Sequence, residues 1–70
     1  MKFAVVIEKA GSNYSAYVPD LPGCIAAGKT IDAVEIEIRK AIEFHLEGMR
    51  RDGLSIPLPS SAVEYVEVAA

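Results

Sequence analysis

Hydrophobic and polar positions alternate at the start of the chain, with Phe3, Val5 and Ile7 on one side and Ala4, Val6 and Glu8 on the other. A period of two carried by β-branched residues predicts a strand, and the β-prone run over residues 14–18 predicts a second. Between them, Ala10-Gly11-Ser12-Asn13 is turn chemistry, so the two strands should form an antiparallel hairpin. Setting Lys9 opposite Tyr14 pairs Ile7 with Ala16 and Val5 with Val18. Phe3, Val5, Ile7, Ala16 and Val18 then share one face, the core side. The opposite face carries Ala4, Val6 and Tyr17 beside Glu8 and Ser15. It is more apolar than a solvated sheet face usually is, and reads either as a contact surface or as the scattered hydrophobes any surface carries.

Pro19-Asp20-Leu21-Pro22-Gly23 interrupts the pattern. Two prolines remove amide donors and Gly23 permits positive φ, so a shaped loop is predicted, with Leu21 between the prolines partly exposed. A third, weaker strand follows over residues 24–27. Gly28-Lys29-Thr30 then turns the chain into a helix capped by Thr30, with Asp32 in its first turn. From residue 31 to about 52 the positions Ile31, Val34, Ile38, Ala41/Ile42, His45 and Met49 follow a 3.6-residue period. Arg50 and Arg51 sit where the helix dipole favours them, and Gly53 is a natural stop. Such a helix is roughly 30 Å long and reaches across a small sheet. Ile36 and Phe44 lie about 160° and 80° from the centre of the stripe at 100° per residue, which makes them interface candidates, Phe44 alternatively capping the edge of the core.

Residues 54–60 are proline-punctuated and extended, and residues 62–68 alternate again, Val63, Tyr65 and Glu67 against Glu64, Val66 and Val68. A fourth strand is expected there. The order β-β-β-α-β predicts an α+β fold, a small antiparallel sheet with one long helix packed on one face.

Seventy residues suffice for one domain and one modest core, so self-association into a dimer or tetramer is an expected source of stability. A hydrophobic fraction of 51% and a charged fraction of 24% are those of a globular chain. The apolar runs fall far short of a membrane span, and Glu8 interrupts the N-terminus too early for a signal peptide, which points to the cytoplasm. Net charge −3 is the wrong sign for neutralising phosphates, so nucleic acid is not an expected direct partner, while a basic protein is. Cys24, the only cysteine, reads as a half-buried small hydrophobe in a reducing compartment.

Candidate chemistry is sparse. The glycines at 11, 23, 28, 48 and 53 match no phosphate-binding loop, and His45, the only histidine, falls in the apolar stripe of the helix. Most acidic residues belong to the outer helix face, as in the Glu35/Arg39 and Glu43/Glu47 spacings. A metal-dependent nuclease would have to assemble Glu8, Asp20 and Glu64 or Glu67. No cofactor is expected.

Four separated motifs, Val18-Pro19-Asp20-Leu21-Pro22-Gly23-Cys24, Gly28-Lys29-Thr30, Ala41-Ile42-Glu43-Phe44-His45-Leu46-Glu47 and Ile56-Pro57-Leu58-Pro59-Ser60, occur in an order that resembles the HicB-type antitoxins over residues 3–68. The resemblance implies a partial RNase H-like fold without the nuclease's carboxylate cluster. It also implies neutralisation of a small basic HicA-type toxin, an mRNA-cleaving ribonuclease with a double-stranded-RNA-binding-like fold. Many members continue into a C-terminal DNA-binding domain; with Ala70 as the last residue, operator binding by this polypeptide alone is not expected. The order Asp32-Ala33-Val34-Glu35-Ile36 departs from the family pattern after the capping threonine.

The resulting expectation is a non-catalytic, oligomeric, cytoplasmic antitoxin-like domain whose partner-binding residues are Tyr17, Pro19, Asp20, Leu21, Pro22, Ile36 and Phe44. The alternatives are an orphan HicB-like domain serving as an oligomeric interaction or ligand-sensing module, and a minimal metal-dependent nuclease.

Overall fold

The reversal at Gly11-Ser12 sets the sheet. In the computed structural model, which describes residues 1–70, β1 (Val6–Ala10) and β2 (Asn13–Tyr17) form an antiparallel hairpin. Ile7 faces Ala16 and Lys9 faces Tyr14, the register the hydrophobic pattern predicts. Gly11 takes φ 61°, the conformation a two-residue type II′ hairpin turn demands of its first residue. β1 starts at Val6 and not at Phe3, because the next hydrogen-bonded pair beyond Val6 and Tyr17 would fall on Pro19, which has no amide to donate. Residues 3–5 still lie against the core.

β3 (Ile25–Gly28) pairs antiparallel with β2, giving a three-stranded sheet in the order β1-β2-β3. One helix follows, α1 (Ile31–Arg51). Its start is fixed by Thr30, whose hydroxyl oxygen accepts from the amide of Ala33 at 3.0 Å. Its end is a Schellman closure: Gly53, at φ 70°, donates to Arg50 at 3.1 Å, and Leu54 donates to Met49 at 2.8 Å.

The helix lies over β3 and β2. Val34 and Ile38 enter a core completed by Ala16, Val18, Leu21 and Cys24, with Phe3, Val5, Ile7, Tyr14, Ala41, Ile42 and Leu46 half-buried around it. Ile31, expected at the head of the stripe, is instead exposed, since the helix meets the sheet only one turn later. Gly28 is where β3 comes closest to the helix: a Cβ there would stand 2.7 Å from the amide nitrogen of Val34. Cys24 is fully buried, more deeply than expected.

The α+β architecture with one helix on one sheet face holds, but the expected fourth strand does not form. Residues 54–70 contain no strand, and no backbone–backbone hydrogen bond involves the chain beyond Leu54. An alternating sequence needs a neighbouring edge to become a strand, and within this chain residues 62–68 lie against none. No helix is long and apolar enough to cross a membrane.

Candidate protein-binding surfaces

Strand register builds an apolar row across the outer face of the sheet. Val6 pairs with Tyr17 and Tyr17 with Ile25, so three large side chains stand side by side on the face away from the helix. Tyr17 is 43% exposed and Ile25 70%. The neighbouring row, Glu8, Ser15 and Ala27, is small or polar. The sequence pattern places Val6 and Tyr17 on this face; it misses Ile25. The signal was available, because a buried Cys24 at the start of a strand sends the next side chain outward.

The loop of residues 18–24 consists of two turns closed by hydrogen bonds. Leu21 donates to Val18 at 3.1 Å across Pro19-Asp20, and Cys24 donates to Leu21 at 3.1 Å across Pro22-Gly23. Proline second and glycine third, with Gly23 at φ 84°, is the type II arrangement. The prolines are exposed, but Leu21 is not: it is 1% exposed and points into the core. The expectation that Leu21 is partly exposed is therefore corrected, for the reason that the paired turns aim the side chain between them inward.

Asp20 has a different occupation. Its Oδ2 accepts from the backbone amides of Ser60 at 3.0 Å and Ser61 at 3.1 Å, and its Oδ1 accepts from their hydroxyls at 3.0 Å and 2.8 Å. The Ser61 amide, followed by the Ser60 amide and the two hydroxyls, holds the Asp20 carboxyl down at about 2, against an ordinary 3.8. Both oxygens are engaged within the chain, so Asp20 pins the C-terminal segment to the loop. Nothing in the sequence announces a contact across 40 residues.

Ile36 and Phe44 are exposed on α1, 57% and 76% respectively. The helix covers the inner face of the sheet, whereas Tyr17 lies on the outer face. The candidate contact residues therefore occupy two layers and do not converge on one patch. Around Ile36 the helix carries the exposed ion pairs Glu35–Arg39 at 3.9 Å and Glu37–Lys40 at 3.4 Å. Such pairs are worth little by themselves.

No three side chains among histidine, cysteine, aspartate and glutamate gather where they would hold a metal ion. Asp20, one of the carboxylates that a metal-dependent nuclease would need here, accepts instead from Ser60 and Ser61. Burial pushes the Cys24 thiol up, away from the reactive thiolate form. His45 is half-buried on the helix, as its place in the stripe predicts.

Residues 3–69 match the family model described as the HicB-like antitoxin of bacterial toxin-antitoxin systems. An uncharacterized 14.9 kDa protein from the rep-hol intergenic region of Haemophilus phage HP1 is 36% identical over 66 residues, which cover 94% of this chain and 50% of that protein. A UPF0150 protein of Helicobacter pylori is 34% identical over 70 residues, covering 99% of this chain and 97% of that one. The chain thus spans half the length of the phage relative and nearly all of the Helicobacter one. The crystal structure of the N-terminal domain of Burkholderia pseudomallei antitoxin HicB is similar at a TM-score of 0.79 and 35% identity, over 89% of this chain and 74% of that chain.

Proposed function

Because the chain belongs to the family of HicB-like antitoxins of bacterial toxin-antitoxin systems, we propose that it is a non-catalytic binding domain that neutralises a HicA-type mRNA-cleaving toxin by covering the toxin's RNA-binding or active face. The observation that carries this reading is the row Val6, Tyr17 and Ile25 on the sheet face away from the helix, an apolar strip in which Tyr17 and Ile25 are exposed and Val6 is half-buried. Rigid aromatic and branched side chains at the centre of a flat surface are what a protein interface uses as anchors. Net charge −3 adds long-range attraction for a small basic toxin and repulsion for RNA, so the toxin is bound while its substrate is not. In this reading the scaffold is a partial RNase H-like one employed for binding alone. It works in the cytoplasm, where toxin and mRNA meet, as a dimer or tetramer without a cofactor.

The test is co-purification with the product of an adjacent gene for a small basic protein, followed by RNA cleavage assays on the complex and on the released partner. The expected result is a stable complex that is silent until the partner is freed. A partner that cleaves RNA equally well while bound overturns the mechanism.

A further inference from the structure

The sheet ends at β1, whose outer edge has no neighbour. Beside that edge the helix leaves the sheet uncovered, since α1 lies over β2 and β3. The result is an open groove of about 550 Å³ between Phe3, Val5 and Ile7 on one side and Ile38, Arg39 and Ile42 on the other. It has the position that a strand paired to β1 would occupy, with one row of its side chains under the helix.

The chain carries a segment with the properties of that missing strand, paired with no strand of its own chain. Residues 62–68 alternate in sequence and are exposed throughout, with Tyr65 at 95%, Val66 at 79% and Val68 at 77%. As a strand they would run about 23 Å at 3.3 Å per residue, enough to cover β1 and the extended residues before it. Their two faces are equally apolar, Val63 and Tyr65 with Glu67 on one, Val66 and Val68 with Glu64 on the other. A strand added at β1 needs both. One face fills the groove, and the other prolongs the row Val6, Tyr17, Ile25.

We propose that residues 62–68 of one copy of this chain add as a fourth strand to the β1 edge of a second copy, so that two chains exchange their C-terminal segments. Three features direct the segment to a second copy and not back onto its own chain. The Asp20 carboxylate fixes residues 60 and 61 at the loop of residues 18–24 by four hydrogen bonds, which sets where the free segment departs. Pro57 and Pro59 stiffen the approach, the kind of short restrained hinge that favours exchange between protomers over return within one. The chain is also far from compact: its radius of gyration is 13.7 Å, against about 11 Å for a compact 70-residue chain. With only 6 of 70 residues buried, the separate chain has a small core, and exchange enlarges it at both ends of a symmetric pair.

The inference goes beyond the antitoxin reading and is tested with the full chain in the absence of any toxin. Sedimentation equilibrium measures the assembly, and an equimolar mixture of isotope-labelled and unlabelled chain reports, by filtered nuclear Overhauser spectra, which chain touches which. Expected are a twofold-symmetric assembly and cross-peaks between Val66 or Val68 of one chain and Val5 or Ile7 of the other. Val66→Pro, which removes one ladder amide from a segment outside the core, should weaken self-association about 100-fold with the hairpin and helix spectra unchanged. A monomer whose residues 62–68 stay unprotected overturns the proposal. So do cross-peaks confined to a single chain, and so does an assembly that Val66→Pro leaves intact.

Discussion

Asp20 and Ser61 are joined twice, the carboxylate accepting from the serine amide at 3.1 Å and from its hydroxyl at 2.8 Å across 41 positions of sequence. Together with Ser60 this is the one polar fastening between the C-terminal segment and the folded body, and it depends on a charged carboxylate. The depressed carboxyl, at about 2 in the fold against 3.8 ordinarily, fixes the sign of its pH dependence. A group whose folded value lies below its unfolded one contributes fully above the unfolded value and loses that contribution as pH falls through the folded one. Between about pH 4 and pH 2 the amide resonances of Ser60 and Ser61 should move toward random-coil positions ahead of those of Val34 and Ile38. Asp20→Asn, whose NH₂ cannot accept, should produce the same shift at neutral pH. Serine amides that stay in place under both treatments would contradict the role given to this carboxylate.

Gly28→Ala should destabilise the fold although alanine is the smallest addition. The new methyl would stand 2.7 Å from a backbone nitrogen of α1, which no side-chain rotation relieves. Strand end and helix start must separate, at a cost of about 1–3 kcal/mol. For a domain of this size that corresponds to a fall in Tm of roughly 4–8 °C per kcal/mol, read by calorimetry. Gly48→Ala, with open space around the added atom, is the control and should not lower Tm.

Leu21→Ala should behave as a core truncation and not as a loop change, lowering stability by about 2–5 kcal/mol. Leu21→Asp should abolish folding outright, by leaving a charge without a partner in the core. Pro22→Ala next to it is exposed and should cost far less. Chemical denaturation of the three variants checks the order. Equal midpoints for Leu21→Ala and Pro22→Ala would return Leu21 to the surface.

Tyr17→Thr separates binding from folding. Threonine retains the strand preference and the side chain is half-exposed, so the denaturation midpoint should shift by less than about 1 kcal/mol. If Tyr17 anchors the toxin, affinity measured by calorimetry should drop at least tenfold, about 1.4 kcal/mol. Unchanged affinity would remove the outer sheet face from the interface and leave the exposed helix residues Ile36 and Phe44 as its candidates.

Local periodicity was informative wherever each residue's environment is set by its close neighbours in sequence. The hairpin register, the Thr30 cap, the Gly53 stop and the inward face of β2 all follow from interactions within a few residues. The stripe of α1 was legible for Val34 and Ile38, which are buried. It was too generous for Ile31, because the wheel gives direction but not where along the helix the sheet begins. Of the surface residues, Tyr17, Ile36 and Phe44 stand exposed as the pattern indicates, whereas Leu21 and Asp20 have their side chains engaged within the chain.

By itself, then, the sequence determined three strands' worth of hairpin and turn, one capped helix of the observed length, and the family to which they belong, since all of these are written in short-range spacing and in motifs. Only the tertiary structure decided that Leu21 closes the core, that Asp20 holds Ser60 and Ser61, and that residues 62–68 pair with no strand of their own chain. Each of those outcomes depends on which distant groups the fold brings within bonding distance. A strand is a strand only beside another, and alternation in one segment specifies the faces of a ladder without supplying its partner.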